Sequence, residues 1–409
     1  MLIGPFTQIL PMTGMPLKGA LQDEQLPVIH NGGVVVEDGK ILAVGDYKAL
    51  QQEYPDQQLQ FIDQPMVLLP GFIDCHTHIC FDGNRSRDYA MRIAGKSYLE
   101  IARAGGGIWD SVTKTRVADA VTLAENTVAR ANRHLMEGVT TIEVKSGYGL
   151  DFDSEVKMLR AIHQASLHTP ATLIPTCLAA HMKPKDYSGT ETEYLDWVVS
   201  ALLPVLKAES LTNRVDIFIE ETAFSPAAAT SYLQAAAAQG FAATVHADQF
   251  TAGGSEVAVA TGALSADHLE ASTDKEIQLL AQSNTVAVVL PGASLGLGMQ
   301  YAPARKLLNE GACVAIASDW NPGSAPMGDL LLQAAVMSAA EKLSAAEVFA
   351  ALTFRAAPAL QLADRGRLEA GMLADMQAYP TNDYRDILYF QGKLKPCSIW
   401  KNGETVTAL

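Results

Sequence analysis

His76-Thr77-His78 places two imidazoles two residues apart at the end of the apolar run VLLPGFID. On an extended strand, residues i and i+2 point to one side, so both nitrogens can converge on one ion. Three more polar residues close apolar runs in the same way: His246 after FAATV, His268 after ALSAD and Asp319 after CVAIAS. A histidine in such a place is costly to bury unless it is ligated or hydrogen-bonded. The pattern points to one ion held by His76, His78, His246 and Asp319. Three nitrogens with one carboxylate suit zinc or iron better than magnesium or calcium. Such an ion brings the pKa of a water down towards about 7. His268 is kept apart from the ligand set as a proton shuttle, with a fifth ligand or a ligand's partner as the alternative.

These residues can meet only if the runs they close lie side by side. The middle of the chain alternates short apolar runs with helix-like stretches. The runs are VLLPGFID, GVTTIEVKSGYG, ATLIPTCLAAH, RVDIFIEE, FAATVHAD, ALSADH, TVAVVLPG and CVAIASDWNPG. Eight strands alternating with helices are the count of an α/β fold of the (β/α)8 TIM-like type. Its catalytic groups sit at the C-terminal ends of the strands, where the polar residues fall here. The flanks read differently. GGVVVEDGKILAVG at 32–45 is a hairpin about Asp38-Gly39, and Ser398-Ile399-Trp400 precedes a second turn signal, Asn402-Gly403. The expectation is a small β-sandwich domain built from both chain termini, 1–65 plus 366–409, around a barrel at 66–365.

The 409 residues include 45 Asp+Glu and 30 Lys+Arg, a formal net charge of −15, with 48% hydrophobic and 18% charged residues. That composition excludes a disordered or fibrous chain. The acidic balance argues against nucleic acid, which needs a basic face. Five cysteines without a CxxC pair suggest reduced thiols, hence a cytoplasmic protein without disulfides. Neither a secretory signal nor a membrane span is expected. Glu143 and Lys145 alternate on one face of TTIEVKSG, favouring an ion pair inside the barrel over a modified lysine bridging two metals. Gly105-Gly106-Gly107 lacks the ending of a P-loop and is read as a flexible loop near the substrate.

Taken together, PGFIDCHTH, FDGNRSRDY, GKSYLEIARAGGGI, EGVTTIEVKSGYGLD, HADQ, GALSADHLE, YAPARKLL and SDWNPGS resemble the amidohydrolase superfamily. Within it, they are similar to the imidazolonepropionase family of histidine degradation. The resemblance runs from about Pro70 to Ser324. It implies a cytoplasmic hydrolase that opens the ring of 4-imidazolone-5-propanoate to N-formimidoyl-L-glutamate, with one zinc or iron ion per chain. It also implies substrate contacts at Arg85, Tyr148, His181 and Ser324, and product contacts at Asn321 and Gly323. A guanidinium can grip a propanoate tail in a bidentate pair. Arg87 and Arg92 lie close by in sequence, and only the resemblance singles out Arg85. Tyr98 is either a further carboxylate contact or a core residue. Many members carry HADE where this chain has HADQ; the amide of Gln249 can hydrogen-bond the ring but cannot take its proton. The duty of base then passes to His268 or Asp319, with His181 expected to stabilise the oxyanion. Apolar barrel helices and the resemblance imply a homodimer whose partner molecule is a small anionic imidazolone. Another cyclic-amide hydrolase or aminohydrolase of the superfamily, or a silent scaffold, are the alternatives.

Overall fold

A computed structural model describes residues 1–406, the side chains of Tyr98, Leu99 and Ala102 excepted. Eight parallel strands follow one another around a barrel: β1 (Phe72–Asp74), β2 (Val139–Lys145), β3 (Thr172–Ala180), β4 (Arg214–Phe218), β5 (Ala242–Ala247), β6 (Ser265–His268), β7 (Val286–Val289) and β8 (Val314–Ile316). Each pairs with its sequence neighbours, as the apolar runs predict. The ring closes just beyond the first and last strands. Thr77 bridges Trp320 in parallel, the His78 N–H donates to the Trp320 carbonyl at 2.9 Å, and the Asp319 N–H donates to that of His76 at 3.0 Å.

Helices return the chain outside the barrel, and several start on a capping side chain. Asp119 accepts from the Thr122 N–H before Ala120–Met136, and Asp151 from Ser154 before Phe152–Ser166. Asp329 and Ser344 do the same for Leu330–Glu341 and Ala345–Leu352. Leu123, Ala131 and Leu135 of the first of these helices face the barrel's outer core, as an amphipathic stripe requires.

The run VLLPGFID, read as a single strand, is two. Val67–Pro70 joins the terminal sheet and Phe72–Asp74 starts the barrel, the chain changing sheets at Gly71. The terminal sheet is mixed and eight-stranded. Glu404–Thr405, Ser398–Lys401, Met376–Tyr379, Val67–Pro70, Leu2–Ile9, Ile29–Glu37 and Lys40–Asp46 lie in that order, and Leu59–Phe61 also pairs with Leu2–Ile9. Both expected turns are hairpins, with Asp38-Gly39 at φ 48° and 77° and Asn402-Gly403 at 50° and 77°. The strand bearing Trp400 is three positions from that bearing Phe6, about 14 Å in a flat sheet. Their ring centroids are nevertheless 6.1 Å apart, so the sheet coils over itself and sandwiches a core of Ile3, Phe6, Val34, Leu68, Met376 and Trp400.

Candidate active site

Strand β5 and the two closing segments, after β1 and after β8, deliver the expected ligand cluster to one place. His76 Nε2 lies 3.2 Å from His78 Nε2, which lies 3.3 Å from His246 Nε2. Asp319 Oδ1 is 3.5 Å from His76 Nε2 and 3.3 Å from His78 Nε2. All four side chains are buried. The tautomers follow from the partners behind them. His76 Nδ1 faces Asp267 Oδ2 at 2.6 Å and His246 Nδ1 faces Asp216 Oδ2 at 2.9 Å. Facing carboxylates favour the tautomers with the proton on Nδ1, so the Nε2 atoms turn lone pairs towards one another. Burial holds His78 and His246 down at about 4, and His76 also well below its usual range, so all three are neutral at pH 7. Converging imidazole lone pairs beside an ionised carboxylate are unfavourable by themselves and suit a cation among them. Against the cost of burial, His76 and His78 hold Asp319 well below the usual carboxylate range.

Beneath the cluster, Lys145 Nζ lies 2.7 Å from both Glu143 Oε2 and Asp216 Oδ2. The ion pair expected for Glu143 and Lys145 is thus present, and Asp216 joins it. Lys145 is fully buried, and its ammonium group is held between these two carboxylates. Asp216 and Asp267 were missed in the sequence. Their signal was a carboxylate embedded in each of the runs RVDIF and SADH, where an unpaired charge would be prohibitive.

His268 stands beside this cluster, its ring 5.2 Å from that of His246 and 5.7 Å from that of His76. Both His268 and Leu269 have positive φ, 92° and 74°, an uncommon backbone for such side chains. Its Nδ1 faces Glu270 Oε2 at 3.7 Å. Against burial, Glu270 raises His268 above its ordinary value. Glu270, another residue the sequence reading missed, also accepts from Ser294 Oγ at 2.9 Å.

A cavity of 570 Å³ opens over the cluster, lined by His78, His246, His268 and Asp319 at one end and by Arg85, Tyr148, His181, Gln249, Asn321, Gly323 and Ser324 around its walls. Met182, Phe218, Phe250 and Met299 supply apolar surface. Tyr148 is positioned by Glu155, whose buried carboxylate accepts the N–H groups of Gly147, Gly149 and Leu150. At Gly147 φ is 103°, and a Cβ there would come within 2.8 Å of the Leu178 carbonyl. Gln249 is 7% exposed, with no protein hydrogen bond to its amide among the described residues. The preceding Asp248 turns the chain by accepting from Gly253, Gly254 and Ser255.

Two expectations change. His181 Nδ1 lies 3.0 Å from the Gly147 carbonyl, which can only accept, and burial lowers the ring to about 4. A neutral ring with Nδ1–H committed presents Nε2 as an acceptor, so His181 cannot donate to an oxyanion. Asn321 lines the cavity, but its amide donates to the Asp319 carbonyl and Ser324 Oγ and accepts from the N–H groups of Gly323 and Ser324. Its amide is thus engaged in shaping the loop that forms this part of the cavity wall. The Gly105–Gly107 loop is also anchored: the Gly107 N–H donates to Asp88, the partner of Arg85 Nε at 2.8 Å. Of the three arginines, Arg85 and Arg92 reach the cavity, whereas Arg87 is exposed. The side chain of Tyr98 lies outside the described residues, and with it the contact expected of it.

A closed parallel barrel with histidines and an aspartate on its C-terminal rim defines the class as a metallohydrolase of the amidohydrolase type. The amidohydrolase family profile matches residues 67–406, and an imidazolonepropionase-like composite domain of bacteria matches 32–56. Among solved structures, atrazine chlorohydrolase from Arthrobacter aurescens complexed with zinc has a TM-score of 0.71 at 16% identity, over 99% of this chain and 95% of that one. An adenosine deaminase from Xanthomonas campestris with bound zinc has a TM-score of 0.70 at 18% identity, over 99% and 92%. At such identities the likeness is one of fold. Curated relatives are nearer in sequence. Imidazolonepropionase of Serratia proteamaculans is 40% identical, covering 94% of this chain and 95% of the relative, and that of Bacillus cytotoxicus is 38% identical, covering 94% and 92%. The chain belongs to the amidohydrolase family, within its imidazolonepropionase branch.

Proposed function

We propose that the chain hydrolyses 4-imidazolone-5-propanoate to N-formimidoyl-L-glutamate, with one zinc or iron ion per chain held by His76, His78, His246 and Asp319. The observation that carries this reading is the convergence of three imidazole lone pairs and one carboxylate under a cavity whose wall bears Arg85. When bound, the ion supplies a Lewis acid and a water acidified towards neutrality.

The residues of the chain do the rest. Arg85 spends Nε on Asp88 and keeps its Nη edge for the propanoate tail. His181 Nε2 accepts a ring N–H, while the Gln249 amide donates or accepts at the ring edge. His268 turns Nδ1 to Glu270 and keeps Nε2 for the attacking water, whose proton it takes and returns to the leaving ring nitrogen. Tyr148 and the apolar side chains narrow the space left to solvent. Ser324 Oγ donates to Asp319 Oδ2 at 3.2 Å, which orients that carboxylate.

The reading extends to a cytoplasmic homodimer acting on a small anionic molecule. Five cysteines without a disulfide support the compartment, and no helix among the described residues is long and apolar enough to cross a membrane. Sedimentation of the purified protein checks the dimer. The function itself is tested by following loss of the imidazolone ring and appearance of formimidoylglutamate by mass spectrometry. Fast turnover of a different heterocycle, with imidazolone propanoate untouched, would overturn it.

A further inference from the structure

Arg85 caps the N-terminus of the helix Ser86–Ile93 and Arg92 follows seven residues later, so both guanidiniums leave one face of the helix towards the cavity. Their charges are answered differently. Arg85, 11% exposed in its side chain, is paired with the buried Asp88. Lys96, on the same wall, is paired with Glu100 at 3.0 Å. Arg92 is half-buried and forms no ion pair among the described residues. Its Nη1 donates to the carbonyls of Gly296 at 3.0 Å and Gly323 at 3.4 Å, leaving the other guanidinium nitrogens unused. Burial and the neighbouring Arg85 both disfavour its charge. A half-buried cation beside a second cation, with one acid between the two, is an arrangement that an incoming anion relieves.

We infer that Arg92 is a second guanidinium for the substrate's carboxylate, and that the pair Arg85–Arg92 selects a carboxylate tail over a neutral one. This rests on the proposed imidazolone propanoate reading and extends it to a specificity residue. The two carbonyl contacts fix the orientation of Arg92 by tying the helix to Gly296 and to the 321–324 loop. They leave its free edge available for a bidentate pair with Arg85 on one carboxylate.

The test uses two stable probes, imidazole-4-propanoate and imidazole-4-propanamide, titrated by calorimetry into the zinc-loaded full chain. Any ring contact is common to both, so their affinity ratio reads the carboxylate alone. Arg92→Gln is expected to lower that ratio roughly 10- to 100-fold, the range of one charge-assisted contact. Arg85→Gln is expected to leave a residual preference for the propanoate. The residual preference can be read even if Arg92→Gln does not fold. An unchanged ratio in Arg92→Gln, or equal weakening of both probes, reduces Arg92 to a brace and overturns the inference. Complete loss of the preference in Arg85→Gln overturns it too. Wild-type turnover of imidazolone propanoate, measured separately, tests the underlying reading: turnover with an unmoved ratio sinks only the role of Arg92, and absent turnover sinks the substrate.

Discussion

His268 Nδ1 and Glu270 Oε2 face each other across 3.7 Å, and neither atom has a hydrogen-bond partner among the described residues. Two consecutive positive φ angles, at His268 and Leu269, bring them there. The carboxylate favours a proton on the facing Nδ1 and leaves Nε2 for the reaction, so His268→Ala should keep its metal and lose about 10²–10⁴ in kcat. Glu270→Gln should lower kcat at least about tenfold with KM nearly unchanged. Steady-state kinetics with metal analysis on both variants checks this. Full activity in either removes the pair from the reaction.

Asp216 stands between Lys145 and His246, with Oδ2 at 2.7 Å from one and 2.9 Å from the other. Its loss frees the His246 ring to rotate and change tautomer. Asp216→Asn should weaken metal affinity about 10- to 100-fold, as partners behind a ligand do. Competition with a chelator of known affinity measures it, and unchanged affinity would show the ring held by packing alone.

Lys145 answers the charges of Glu143 and Asp216 with no solvent near. Against burial, those carboxylates raise its pKa and keep it charged. Lys145→Met strands both acids, a loss of about 3–5 kcal/mol expected for one broken partner of a buried pair. Urea unfolding of the metal-free protein reads this directly. Wild-type protein should bind one ion per chain, and two at saturation would mean that the lysine is free to serve as a bridge.

Gly323 lies against Arg85, where an added Cβ would fall 2.4 Å from Nη1. Gly323→Ala should therefore push the guanidinium aside and raise KM about tenfold or more, the worth of a displaced charge-assisted contact, while metal content is unchanged. A wild-type KM would mean that Arg85 can move aside without loss.

Glu347 makes an acid-sensitive contact away from the cavity. It accepts from both Nη atoms of Arg305, at 2.9 and 2.7 Å, and from the N–H groups of Leu21 and Ser344. Against burial, Arg305 holds its pKa below the ordinary value. The depressed value adds stability above about pH 4.3, the ordinary glutamate value, and that increment is lost as pH falls through the folded one. Glu347→Gln should cost about 1.5–3 kcal/mol at pH 7 and less at lower pH. Thermal unfolding across that range follows both.

The barrel was legible because each strand is an apolar run buried on both faces, and the ion cluster because His76, His78, His246, His268 and Asp319 end such runs. The break at Gly71 was hidden, since a strand that changes sheets remains apolar throughout. The commitments of His181 and Asn321 were hidden as well: a carbonyl 34 residues away settles the tautomer of one, and a tight loop consumes the amide of the other. Asp216 and Asp267 were visible as letters, but only the neighbouring strands show which imidazole each one backs. The free edge of Arg92 depends on where the Gly296 and Gly323 carbonyls fall, which spacing does not reveal.

The bridge between Thr77 and Trp320 has a consequence for assembly. His76 and His78 flank one side of that seam and Asp319 the other, so an ion held by all three staples together the earliest and latest staves of the cylinder. A ribosome must have passed Asp319, more than three quarters of the way along the 409 residues, before the staple can form. A product terminated before Asp319 lacks a side chain that the staple needs, and its first and last staves stay unjoined.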